Sequence, residues 1–318
     1  MTGSQAIRAV QDILFTTSND LYGLGLKLTP LEESTPLSTT SAISLPVRTL
    51  PPPSTDLHSF TSFLDANPSI KFLRLQWLDL TSILRLRVIP VRRALDMLKS
   101  NPHLQIGITT AALGLLQNDT LLTGVMPTGE HKLRAIMSTL KAGPCEGYAS
   151  IQGEFVEKDG SPVALCPRSL LRHTLETSKA HGLVFLVGFE IEIVFMSRSH
   201  QDGTLNTLYN SAGHSWSSSR AMHDSTITEI LEEIYEKLAE SRIFLEQFHP
   251  ESCFGQYEFI LPALPAMEAA DTLIQAREII STIVANHGMR ATLYPKPFSH
   301  MAGTASHSGY SPSSFPLF

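Results

Sequence analysis

Cysteine is scarce in this chain: Cys145, Cys166 and Cys253 are the three in 318 residues, far apart and without C-x-x-C spacing. That argues against a disulfide framework and a cysteine zinc site, and a reducing compartment is expected. Long apolar runs are missing as well. No window approaches the roughly eighteen apolar residues that a membrane-spanning helix needs. The opening MTGSQAIRAVQDILFTTSND has no charged lead followed by an unbroken apolar run, so no secretory signal is read and a cytoplasmic location is expected. Basic charge is also short: 24 Lys and Arg against 30 Asp and Glu leave a net charge of -6 and a pI near 6.0. Neither nucleic acid nor an anionic membrane surface is an expected partner.

What is present is apolar material for a sizeable core, 42% of residues with a mean hydropathy of +0.04, and a length that suggests two domains. Residues 29–55 are dense in Pro, Ser and Thr, so residues 1–55 read as a flexible lead. From Asp56 a short helix precedes two alternating runs, KFLRLQWLDL and RLRVIPV, which form a hairpin candidate followed by a helix at 90–99. Arg85 and Arg87 share a strand face that reads as solvated or as an interface. This small α+β unit covers 56–162.

A second unit covers 163–318. A helix opens at Cys166-Pro167 and ends at Gly182, and the strand LVFLVGFEIEIVF follows. A polar stretch reads as a loop, and Thr226-x-x-Glu229 offers a capping box for the next helix. Strands RIFLEQFHP and QYEFIL, a helix from Ala266 to Asn286 and strand MRATLYP complete the order.

The strand GFEIEIVF places Glu190 and Glu192 on one face, about 7 Å apart, with Ile191 and Ile193 on the other. Alone, the pair reads as an exposed strand face with two solvated acids. A second acidic pair follows in HPESCFGQYEF, where Glu251 and Glu258 flank a turn containing Gly255. Four carboxylates on neighbouring strands repel one another unless divalent cations neutralise them, and such oxygen-rich sites suit magnesium or manganese. A third segment, YPKPFSHMAGTASHSGYS, leads into a small-residue loop holding His300 and His307. Either histidine reads as a surface residue or as a ligand beside the acids.

Together these segments resemble glutamine synthetase: Glu190-Ile-Glu192, then Glu251 to Gln256-Tyr-Glu258, then Pro295-Lys-Pro297, then Gly303-Thr-Ala-Ser-His307. The stretch QWLDLTSILRLRVIP is similar to the family's β-grasp segment, with Asp79 at the position of its ammonium-site acid and Ser82 at the small residue. The resemblance covers about residues 57–308 and is nearest to the glutamine-synthetase-like branch of fungal and plant proteins. It implies a β-grasp N-terminal domain over 56–162 and part of a glutamine synthetase catalytic domain over 163–318, an antiparallel sheet with helices. It implies that Glu192, Glu251 and Glu258 hold the cation nearer glutamate and ammonia, and Glu190 and His307 the cation nearer the ATP phosphates. Asp79 would serve the ammonium site of a neighbouring subunit in a homo-oligomer. The implied reaction is ATP-dependent joining of glutamate to ammonia or another amine through γ-glutamyl phosphate, with Mg2+ or Mn2+ as cofactor and ATP as co-substrate.

The resemblance also has gaps. Gly309 stands where the family has a second loop histidine, and the family's later ligand, arginines and flap acid have no counterpart after Ser311. An impaired ligase is therefore expected. A non-catalytic protein with a binding or regulatory role is the alternative, and a two-metal phosphate-ester hydrolase is a third.

Overall fold

The structure, a computed structural model, describes residues 56–199, 203–208 and 216–314. The flexible lead expected over 1–55 lies outside them.

The first sheet begins with the expected hairpin, β1 (Phe72–Leu78) against β2 (Leu84–Pro90). It is completed by β3 (Gln105–Thr109), β4 (Glu130–Ala135), the short β5 (Lys141–Ala142) and β6 (Tyr148–Val156). The order is β2-β1-β6-β4-β3, with β5 on β6; β1 and β6 run parallel and the other pairs antiparallel. A central parallel pair with a helix crossing one face is the arrangement of a β-grasp. Alternation explains the covered face. Leu73, Leu75 and Trp77 of β1 point to one side and join Phe60 of α1 (Asp56–Ala66) and Ala94 and Leu98 of α2 (Val91–Ser100) in one core. Full burial of each large side chain stabilises the fold by about 1.5–3 kcal/mol.

The opposite face of this sheet carries polar residues that bond to the following helices. Arg74 pairs with Glu278 at 2.6 Å, and the fully buried Glu154 accepts from Ser169 Oγ at 2.7 Å and from Arg172 at 2.6 Å. Burial alone would raise the Glu154 pKa, but the hydrogen bonds from Arg172 and Ser169 and the charges of Arg172 and Arg134 hold it below the ordinary carboxylate value. Arg168, at the start of α3 (Pro167–Ala180), clamps both oxygens of Asp271.

The second sheet is organised about one long strand, β7 (Leu183–Arg198). β10 (Gln256–Ile260) lies along one edge of it and β13 (Ser306–Ser314) along the other; β9 (Gln247–Pro250) lies beyond β10. Short strands β8 (Leu205–Thr207), β11 (Leu264–Pro265) and β12 (Arg290–Thr292) also pair with β7. Ile191, Ile193, Tyr257 and Phe259 face α4 (Ser225–Glu240) and α5 (Ala266–Asn286) and build the second core.

Several local expectations are corrected. The first turn of α4 is capped by Asp224, whose side chain accepts from Thr226 and Ile227 N–H, so Thr226 is inside the helix and makes no capping box. The strand expected over 242–250 is paired only from Gln247, and that over 289–295 only over Arg290–Thr292. Within the polar stretch after β7, Leu205–Thr207 is a strand rather than loop. His307 is in β13 and not in a loop.

Candidate functional site

Register brings the site together. Glu192 of β7 stands directly opposite Glu258 of β10, and Glu258 in turn opposite His249 of β9. On the other edge of β7, Glu190 stands opposite His307 of β13. Cross-strand partners share a face, so Glu190, Glu192, Glu258, His249 and His307 all project from the side of the sheet away from α4 and α5. One face of the strands is thus apolar core and the other an acidic row.

Turn chemistry adds Glu251. The β9–β10 connection closes with Glu251 N–H donating to Gln256 O at 2.9 Å. Gly255 is required within it: its φ is +73°, and a Cβ there would lie 2.4 Å from Phe195 O. Glu251 Oε1 accepts from Trp216 Nε1 at 2.8 Å, a contact that nothing in the polar run around Trp216 announced.

Glu192 is held firmly. Its Oε2 accepts from Gln256 Nε2 at 2.7 Å and from Ala305 N–H at 2.9 Å, while Oε1 is 3.6 Å from His307 Nδ1. The loop that delivers Ala305 is fixed by the Pro295-Lys-Pro297 segment, because Thr304 N–H donates to Pro295 O at 2.7 Å. Gly303 is pressed against the same carbonyl, leaving 2.6 Å for any added Cβ.

Glu258, 7% exposed, bears the strain of the crowding. Burial pushes its carboxyl up, the His249 ring works against that, and the Glu190 and Glu251 charges together with a hydrogen bond to Glu190 push it further, to about 7. Nε2 of His249 is 3.0 Å from Glu258 Oε2, and Nδ1 of His307 is 3.2 Å from Glu190 Oε2. Glu190, Glu258 and His307 bring ligand atoms within 4.8 Å of one another, and so do His249, Glu251 and Glu258. Carboxylate oxygens with imidazole nitrogen, packed closely enough to repel, are a donor set that fits divalent cations.

Of the other residues singled out in the sequence, His300 is exposed in the preceding loop and contacts Phe298. Asp79 is buried in its own turn, where it accepts from Thr81 N–H and Oγ1, Ile83 N–H and Arg85 Nε. Both of its oxygens are engaged there. Burial would raise its pKa, but the hydrogen bonds from Thr81, Arg85 and Ile83 bring it below the ordinary value. Arg85 is thereby an ion-pair partner, while Arg87 is exposed with its guanidinium 5.8 Å from the Trp77 ring. His249 was missed in the sequence; its position two before Glu251 in an alternating strand was the available signal.

A family model for the glutamine synthetase catalytic domain matches residues 164–313. Protein fluG of Emericella nidulans is 36% identical over 311 residues, which is 96% of this chain and 34% of that protein. Type-1 glutamine synthetase 1 of Dictyostelium discoideum is 30% identical over 256 residues, 76% of this chain and 51% of that protein. The chain therefore spans about a third to a half of the length of these relatives. Among solved structures, that of a novel glutamine synthase homolog superposes with a TM-score of 0.66 at 23% identity, over 77% of this chain and 56% of its own. The family model over residues 164–313 and the relatives agree, and the chain belongs to the glutamine synthetase family.

Proposed function

We propose that this chain is part of an ATP-dependent ligase joining the γ-carboxylate of glutamate to ammonia or another amine. The observation that carries the reading is the convergence of Glu190, Glu192, Glu258 and His307 on one sheet face, with Glu251 at its edge. In the reaction a glutamate carboxylate oxygen attacks the γ-phosphorus of ATP and ADP leaves. The amine nitrogen then attacks the acyl carbon of γ-glutamyl phosphate, phosphate leaves, and the nitrogen sheds a proton. Divalent cations, Mg2+ or Mn2+, would offset phosphate charge during transfer. Glu192, Glu251 and Glu258 would hold the one nearer glutamate and the amine, and Glu190 and His307 the one nearer ATP. Gln256 and the Pro295 loop keep Glu192 in place. This reading takes residues 56–162 as the N-terminal β-grasp domain, residues 163–318 as part of the catalytic domain, and a homo-oligomer as the assembly.

The test is ADP release by the purified chain with Mg2+ or Mn2+, dependent on both glutamate and an amine, and lost in Glu192→Ala and Glu258→Ala. A wild-type chain that binds Mn2+ yet releases no ADP under any of these conditions would sink the ligase reading and favour a binding role.

A further inference from the structure

The resemblance leaves His249 without a task, yet its Nε2 stands 3.0 Å from Glu258 Oε2. We propose that His249 is a direct nitrogen ligand of the cation held by Glu251 and Glu258, and that it makes this position prefer manganese or a later first-row divalent ion over magnesium. The inference rests on the two-cation reading of this face and adds a ligand to it.

Three observations carry it. First, His249 Nε2 is 3.0 Å from Glu258 Oε2. Donors on adjacent corners of an octahedron with bonds of about 2.1 Å stand about 3.0 Å apart, so the two atoms already have the spacing of neighbouring ligands. Second, the other ring nitrogen is provided for: Nδ1 lies 3.2 Å from Pro250 O. With Nδ1–H donating to that carbonyl, the Nε2 lone pair is directed at Glu258, as outer hydrogen bonds orient metal-binding histidines. Third, β9 pairing sets His249 opposite Glu258, and the ring packs edge-on to Trp216 at 6.3 Å, whose Nε1 bonds Glu251. The ring is thus held by the Pro250 carbonyl and the indole as well as by the two acids, with Nδ1 3.6 Å from Glu251 Oε1 and Nε2 3.0 Å from Glu258 Oε2. An imidazole among carboxylates moves preference from magnesium, which favours oxygen donors, towards the first-row transition ions.

Mn2+ titration of the full chain without ATP or glutamate, followed by electron paramagnetic resonance, tests this independently of ligase activity. His249→Ala is expected to weaken one Mn2+ site by at least about tenfold, with a smaller effect on Mg2+ measured by competition. In His307→Ala, pulsed spectroscopy is expected still to show 14N coupling to bound Mn2+, because the imidazole of His249 remains. That second variant keeps the test decisive if His249→Ala folds poorly. Unchanged Mn2+ affinity in His249→Ala, equal losses for Mg2+ and Mn2+, or no 14N coupling in His307→Ala would overturn the proposal and leave His249 as an ion-pair partner of the two acids. Absence of ADP release with these signatures intact would overturn the ligase reading alone.

Discussion

Gln256 Nε2 stands 2.7 Å from Glu192 Oε2 and 3.2 Å from Gly303 O, while Gln256 Oε1 accepts from Cys253 N–H at 2.9 Å. One carboxamide therefore joins β7, the β9–β10 turn and the loop before β13. Gln256→Leu removes those bonds at a position 1% exposed. A loss of about 1–3 kcal/mol is expected in urea denaturation. Mn2+ affinity is expected to fall by about 10–100-fold as Glu192 loses its orientation.

Gly255→Ala tests the turn. Its φ of +73° and the 2.4 Å approach to Phe195 O leave no room for a Cβ. The cost is expected to exceed about 1 kcal/mol, because strain adds to the usual left-handed penalty. Circular dichroism melting reads it. Gly160, with φ +89° and nothing within 4 Å, is the control for the dihedral alone.

Glu258 gives the ion-free protein a pH dependence. Its pKa rises from 4.5 to about 7 on folding. Between those values the folded state retains a proton that the unfolded state has released, so stability falls as pH rises through that window. Melting temperature in the presence of a chelator is expected to decline from about pH 4.5 to 7 for this group, and Glu258→Gln to flatten the decline. Saturating Mn2+ is expected to oppose it, since the cation competes with the proton.

Asp79→Ala separates a structural from a substrate role. The carboxylate holds a turn in which Ser82 has φ 61°, and it neutralises Arg85. A destabilisation of about 1–3 kcal/mol is expected, with Mn2+ titration unchanged. Loss of Mn2+ binding in a folded Asp79→Ala chain would contradict this division.

Helix α5, the first hairpin and the E-x-E face were legible in the sequence, because each depends on local periodicity or on a nearby Gly or Pro. The α4 start was misread because Thr226 and Glu229 satisfy a pattern that Asp224, two residues earlier, satisfies better in space. His307 was misplaced in a loop because its surroundings are small and polar, and only pairing with β7 makes them a strand.

By itself the sequence determined which side chains share a face within each strand, since alternation is built into extended backbone. That assigned Glu190 and Glu192 to one side and Ile191 and Ile193 to the other. Only tertiary structure decided that Glu258 stands opposite Glu192, His249 opposite Glu258 and His307 opposite Glu190. Cross-strand register depends on distant turns and on burial of the opposite apolar face, and a slip of one residue would turn every acid into the core.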